Sequence, residues 1–326
     1  MKKNVLICGA TGFMGRNIAD SFIATGRYNV YGVGKTRNVS NINIYEKFYT
    51  CDLTSRTGVD HVFKNSKVEY DIVIQAAATT SGSKDIIERP YLHVTDNALM
   101  NSLILQACYD YDVGHFLFLS CGVMYNPERT PVTEDDFYLD EEIYDKYFGV
   151  GWTKVYVEKM CEFYSRLGKT KHTSIRHSNT YGPHDKYDLE KSHMFGATIT
   201  KVMQAENDDE IIVWGDGLGT ERDLLYVDDV VDFIHAAVDK QKDSYKLYNV
   251  GYGKSFSVKE IVEKIIKESG KNLKIVHDLT KPSITTKLAL ISRKAKDELG
   301  WEPKVSLEQG IKKTIEWYKD NLGDNR

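Results

Sequence analysis

The sequence predicts an α/β fold, a doubly wound parallel sheet with a smaller, interleaved C-terminal lobe. Three observations carry that reading. The apolar run Val5 to Cys8 leads directly into glycines at positions 9, 12 and 15. Strand and helix patterns then alternate through the first half of the chain, as they do when helices cover both faces of a parallel sheet. After Ser178 the texture turns polar and loop-rich, yet no repeat and no low-complexity linker sets that part off. The class is the Rossmann type.

The first element is the most informative. Val5 to Cys8 suits a strand buried on both faces. Gly9, Gly12 and Gly15 follow at GxxGxxG spacing, with Thr11, Phe13 and Met14 between them, and Arg16 to Thr25 reads as a helix with Ile18, Phe22 and Ile23 inward. A strand that turns tightly into a helix needs residues without Cβ where backbone approaches a pyrophosphate, and the helix N-terminus then faces that anion. Gly9, Thr11, Gly12, Phe13, Met14 and Gly15 are therefore the expected dinucleotide cradle.

Further strands are expected at Tyr28 to Val33, Lys47 to Cys51, Asp71 to Gln75, His115 to Leu119 and Thr173 to His177. Helices are expected at about Asn97 to Tyr109 and Gly151 to Leu167. Beyond Ser178 come a helix, a strand at Ile211 to Trp214, a glycine-rich turn to Gly219, and helices at Asp228 to Val238, Ser257 to Lys267 and Leu307 to Trp317. The dinucleotide part is expected to comprise residues 1–177 plus about 223–252, and the substrate lobe about 178–222 plus 253–326.

The totals exclude several classes. The 326 residues carry 43 Lys and Arg against 47 Asp and Glu, a net charge of −4, with no basic block. Binding to nucleic acid or to a membrane surface is not expected. The five cysteines are scattered and form no CxxC pair, which speaks against disulfides and metal sites. The start, Met-Lys-Lys-Asn, enters a strand with only four apolar residues in a row, so a cytoplasmic protein is expected.

The motifs resemble the extended short-chain dehydrogenase/reductase (NAD-dependent epimerase/dehydratase) superfamily acting on nucleotide sugars, and within it the GDP-L-fucose synthase group. They are Gly9-Ala-Thr-Gly-Phe-Met-Gly15, Gln75-Ala-Ala-Ala78, Phe118-Leu-Ser-Cys121 through Tyr125, Asn179-Thr-Tyr-Gly-Pro-His-Asp185, Ser192-His193, Val213-Trp-Gly-Asp-Gly217, Arg222-Asp223 and Tyr226-Val-Asp-Asp229. The resemblance implies an NAD(P) cofactor, with Asp52 and Leu53 at the adenine and Ala76, Ala77 and Ala78 under the ribose and nicotinamide. It implies a GDP-sugar substrate held by Asn179, His193, Trp214, Arg222 and Lys287, since cations suit a diphosphate and Trp214 offers a face to a base or sugar. It also implies a homodimer through the helices at about 97–109 and 151–167. The second strand ends in Gly34-Lys-Thr-Arg37 without an acid, so Lys35 or Arg37 can pair with a 2′-phosphate. The metabolic convenience of NAD for oxidising alcohols points the other way, and NAD and NADP both stay open.

The departures from the family matter as much. Lys154 fits the lysine of the family's YxxxK pair, but Val150 stands where its tyrosine belongs. Cys121 occupies the family's serine position. Val123 takes the place of the cysteine used in epimerisation, while His184 is kept. Losing one of two proton carriers favours hydride chemistry at one carbon over epimerisation. His184, titrating near neutrality, is the expected proton carrier, with Cys121, Tyr147 and Tyr144 as competitors. The resulting expectation is an NAD(P)-dependent oxidoreductase working at C4 of a GDP-sugar of manno configuration. The alternatives are an epimerase that retains its cofactor and a dinucleotide-binding regulator without catalysis.

Overall fold

The computed structural model describes residues 2–35, 42–80, 88–189, 192–280 and 286–323. Arg37 lies outside them. Seven parallel strands form the central sheet: β1 (Lys3–Cys8), β2 (Tyr28–Gly34), β3 (Lys47–Thr50), β4 (Ile72–Gln75), β5 (His115–Cys121), β6 (Lys171–His177) and, far along the chain, β10 (Tyr245–Val250). Their spatial order is β10-β6-β5-β4-β1-β2-β3. The order reverses direction between β1 and β4, so the chain winds outward both ways from a switch point. Ligands of open α/β sheets lie at such points, at the carboxyl ends of the strands.

Alternation along the strands explains the layers. Val5 and Ile7 of β1 face one core with helices α1 (Phe13–Ala24), α6 (Val227–Lys240) and α8 (Arg293–Leu299). Leu6 and Cys8 face the other, with α2 (Arg56–Phe63), α3 (Thr95–Asp110) and α4 (Phe148–Tyr164). Strands buried on both faces need near-continuous apolar sequence, which is why these segments were legible.

The other lobe has its own core, built on α5 (Met194–Gln204), α7 (Val258–Ser269) and α9 (Leu307–Leu322). Two small sheets complete it. One has the order β11-β9-β7, from Ser255–Ser257, Glu221–Tyr226 and Asn179–Tyr181, and the other pairs β8 (Glu210–Trp214) with β12 (Lys274–Asp278). Helix α7 starts in a reciprocal cap between Ser257 and Glu260 and ends at Gly270, whose φ of 74° is the left-handed conformation that favours glycine. The C-terminal carbonyls of α5 are capped in trans by Lys271 Nζ, which donates to the oxygens of Val202, Met203 and Ala205 at 2.6–2.9 Å. The lobes are stitched together by the buried Asp223 at the start of β9. Its carboxylate accepts backbone N–H groups from Tyr252, Gly253 and Leu290.

Most predicted elements sit within a few residues of their expected limits. Helix α4 begins at Phe148 rather than Gly151, because Gly149 and Gly151 blur its sequence signal. Strands β7, β9, β10, β11 and β12 and helices α2 and α8 were not anticipated; short segments of mixed polarity carry too little periodicity to read. Among the described residues, no helix is long and apolar enough to cross a membrane.

Candidate active site

The glycines divide their labour. Gly9 has φ 77°, and a Cβ there would fall 2.6 Å from the backbone of Ala77 at the end of β4. A Cβ on Gly15 would fall 2.1 Å from the Gly9 carbonyl oxygen, so this glycine lets α1 pack against the turn. Gly12 differs. Its φ and ψ of −83° and 171° suit any residue, and its nearest non-neighbouring atom would be 3.4 Å away. The protein leaves open the space beside Gly12. That residue caps α1 without a side-chain acceptor, and the first turn holds no acid. Unclaimed N–H groups and the positive end of the helix dipole make this an anion cradle, and the residues present fit a dinucleotide's pyrophosphate.

Asp52, expected at the adenine, pairs with Lys35 at 2.8 Å. Lys35, followed by the backbone and hydroxyl of Thr54, holds the Asp52 carboxyl down at about 2. The pair is largely solvated, so it is weak and can open. Lys35, expected for a 2′-phosphate, thus already has an anionic partner. At the end of β2, a side chain on Gly34 would meet Thr11 Cγ2 at 2.7 Å, so the strand ends without room for an acid. Leu53 is buried in the core beside this end, while Ala76 and Ala77 are half-buried and Ala78 is exposed.

The residues expected at the reacting end meet where β5 approaches α4. Lys154 Nζ donates to the Leu119 carbonyl at 2.8 Å and stands 4.8 Å above the Phe118 ring. Burial lowers its pKa, opposed by Cys121 and Glu158. The Cys121 thiol is pushed up by burial, with Lys154 pulling it down. It stays a thiol at neutral pH, a weak hydrogen-bonding group in the serine's place. Val150 sits half-buried in the first turn of α4, four residues before Lys154. Tyr147 caps that helix, seven residues before Lys154 and hence on the same face two turns away. Its ring packs 5.7 Å from that of Tyr144. Burial raises the Tyr147 phenol, and the Arg222 guanidinium is the leading opposing influence, with Cys121 also close enough to act on it. Lys154, Cys121, Tyr147 and Arg222 are therefore one group.

A buried network supports this group from below. Glu158, one turn after Lys154, accepts from Ser120 at 2.6 Å and from Arg176 Nη2 at 2.7 Å. Arg176 also donates to the Tyr125 hydroxyl at 2.8 Å, which in turn donates to Asn249 at 2.7 Å. Sequence reasoning passed over one neighbour, His177. It ends β6 in register with Cys121, and Lys154 is close enough to help burial lower its pKa to about 4. Its signal was hidden because it reads as the last residue of a strand.

Of the substrate candidates, Arg222 on β9 and Lys287 on the segment 286–291 beside it come together, with Asn179 on the neighbouring β7, whereas His193 and Trp214 lie on other elements. Arg222 Nη1 donates to the carbonyls of Glu221 and Thr286 at 2.8 Å and to the Thr286 hydroxyl at 2.9 Å. Lys287 pairs with Glu221 at 2.7 Å. The exposed Asn179 approaches the Asp223 carbonyl, its Nδ2 3.4 Å away. Gly122 admits this segment, since a Cβ there would meet Leu288 Cδ2 at 2.9 Å. His193 caps α5, and its pKa is lowered by burial, then by Lys186 and His93. Trp214 is about half exposed at the end of β8.

His184 is not brought to the reacting group. Its ring lies edge-on to Trp317 at 4.9 Å, with Nε2 3.8 Å from Asp20 on the outer side of α1. Asn17 holds the preceding Pro183 carbonyl at 2.8 Å, which fixes the loop there. Burial and then Arg16 lower its pKa to about 4, so it is neutral at physiological pH.

The family model described as the NAD dependent epimerase/dehydratase family matches residues 5–251. The chain belongs to this family. It takes a nicotinamide dinucleotide, as the open cradle at Gly12 requires. Among relatives, GDP-L-colitose synthase of Yersinia pseudotuberculosis is 27% identical over 317 residues, covering 96% of this chain and 97% of its own. GDP-L-fucose synthase of Escherichia coli (strain K12) is 28% identical over 331 residues, covering 98% of each. Among solved structures, UDP-glucose 4-epimerase of Thermotoga maritima with UDP-glucose superposes with a TM-score of 0.85 at 28% identity, over 98% of this chain and 99% of that one.

Proposed function

We propose that the chain is an NAD(P)-dependent oxidoreductase acting at C4 of a GDP-linked sugar of manno configuration, a GDP-manno-heptose or GDP-6-deoxy-hexose, in activated-sugar biosynthesis. The observation that carries this reading is the grouping of Lys154, Cys121 and Tyr147 at the end of β5, with Arg222 beside them and no proton carrier at Val123. The names of the two GDP-sugar relatives support the nucleotide. The nicotinamide, when bound, supplies the hydride.

The residues of the chain then have separable tasks. Arg222 and Lys287 offer cations to a diphosphate, and Lys287 must part from Glu221 to do so. Lys154 places a buried ammonium beside the oxygen on which negative charge develops. Tyr147 is a phenol and carries its proton at neutral pH, and Arg222 opposes the rise that burial imposes on it, so it can serve as the general acid toward the C4 oxygen. His184, away from the group, keeps a structural task in its loop.

A mass-spectrometric panel of GDP-sugars and 4-keto GDP-sugars with NADH and NADPH tests the proposal. A gain or loss of two hydrogens on a GDP-sugar is expected; no such change across the panel refutes it. We further propose a homodimer through α3 and α4, whose outer faces expose Leu99, Tyr109, Tyr156 and Phe163. A clean monomer in sedimentation at micromolar concentration refutes that part.

A further inference from the structure

His177 has no part in the tasks above, yet it stands in the middle of them. It closes β6 with its Cα in register with Cys121, one strand spacing of about 4.8 Å away. Its side chain is only partly exposed. Nδ1 lies 2.8 Å from the Ser178 carbonyl oxygen, and the Thr180 hydroxyl is 3.2 Å from the same nitrogen. A carbonyl can only accept, so Nδ1 carries the proton and donates it. Nε2 is then left with its lone pair, and among the described residues it has no hydrogen-bond partner. The ammonium of Lys154 and burial both oppose protonation, which keeps this nitrogen an acceptor at neutral pH.

A fixed acceptor next to the reacting group seeks a donor. The Cys121 thiol is too weak a partner to orient a sugar as a serine hydroxyl would. The C4 oxygen of a keto sugar offers no proton, but the hydroxyl on the neighbouring carbon does. We propose that His177 is a specificity-determining residue whose Nε2 accepts a hydrogen bond from the sugar hydroxyl on the carbon beside the one that is reduced. This rests on the C4-reductase reading. It adds that the enzyme selects sugars bearing that hydroxyl over deoxy counterparts, since a site built to pair with a hydroxyl discriminates against the analogue lacking it.

Two measurements test the inference, and the first needs no substrate. Long-range 1H–15N spectra of protein labelled on histidine, with His177 assigned by the His177→Gln variant, report the tautomer at pH 7. A proton on Nδ1 with bare Nε2 is expected; a proton on Nε2 overturns the proposal. The second compares kcat/KM for a GDP-4-keto-6-deoxy sugar of manno configuration with its 3-deoxy counterpart. Wild type should favour the hydroxylated sugar by about tenfold or more. His177→Phe should bring the two within about threefold through loss on the hydroxylated sugar, and His177→Gln, which retains an acceptor, should keep part of the preference. An unaltered preference in His177→Phe overturns the inference. If neither sugar is turned over, the C4-reductase reading falls, and the tautomer alone decides whether His177 presents an acceptor to the cleft.

Discussion

Replacing Gly12 with alanine separates the folding role of the glycine-rich turn from its binding role. At Gly12 the backbone already adopts extended angles open to every residue, and an added Cβ meets nothing closer than the Gly9 carbonyl oxygen at 3.4 Å. Two small effects on stability then oppose each other. Alanine is a poorer N-cap than glycine, by up to about 1 kcal/mol. It also restricts the unfolded chain, which returns about 0.4–1 kcal/mol. The net change should lie within about 1 kcal/mol, a shift in Tm of only a few degrees. The same Cβ projects into the space a pyrophosphate needs, so affinity for NAD(P)H should fall by about a hundredfold, or roughly 2.8 kcal/mol. Thermal unfolding without cofactor and titration of NADH and NADPH by nucleotide fluorescence measure the two effects separately. Gly15→Ala is the control: its Cβ would lie 2.1 Å from the Gly9 carbonyl oxygen, so that variant should lose stability before binding can be assessed. A Gly12→Ala protein that is folded and binds cofactor as wild type does would refute the placement of the pyrophosphate.

The other predictions concern the reacting group and its support. Tyr147→Phe should lower turnover by about a hundredfold or more, as loss of a general acid does, whereas His184→Asn should leave it within a few-fold; the reverse result in steady-state kinetics would return the proton to His184. Glu158→Gln removes the counter-ion of the buried Arg176, and urea unfolding should show a loss of about 3–5 kcal/mol, whereas Lys296→Gln, which breaks an exposed pair, should leave the midpoint unchanged. Burial raises Asp185 to about 7, so its folded pKa lies above its unfolded one, and its favourable contribution is complete below about pH 4 and lost as pH rises through about 7. Asp185→Asn should therefore unfold at the same temperature as wild type near pH 4 and at a higher one at pH 8; a gap that does not widen with pH would contradict that assignment.

What the sequence disclosed and what it hid have separate physical causes. Strands β1, β4 and β5 of the central sheet were legible because strands buried on both faces are largely apolar, and the first turn because its glycine spacing follows from close backbone approach, whereas β10 joins the sheet from far along the chain and was not read as a strand. The small strands β7 and β11 are held by partners distant in sequence, such as Asn179 with Leu224 and Phe256 with Arg222, and no local pattern announces such pairs. At the site, motif spacing pointed to Lys154, Cys121 and Arg222 as candidates but could not say which proton carrier joins them. His184 has the right motif and the right chemistry, yet the hydrogen bond from Asn17 to Pro183 ties its loop to α1, and Trp317 and Asp20 take its ring. Tyr147 lacks the family spacing to Lys154 by three residues, and in a helix three residues less than one turn of separation still preserve the face. A strict YxxxK search therefore sees only Val150, whereas helical periodicity admits a tyrosine one turn further back. Among the charges acting on that phenol Arg222 leads, and it is a residue of β9, so on the proposed reading a cation that bears on the proton carrier also offers a contact to the nucleotide diphosphate. Substrate binding and proton transfer would in that case share one guanidinium, a coupling that a tyrosine at position 150, tuned by Lys154, would not have.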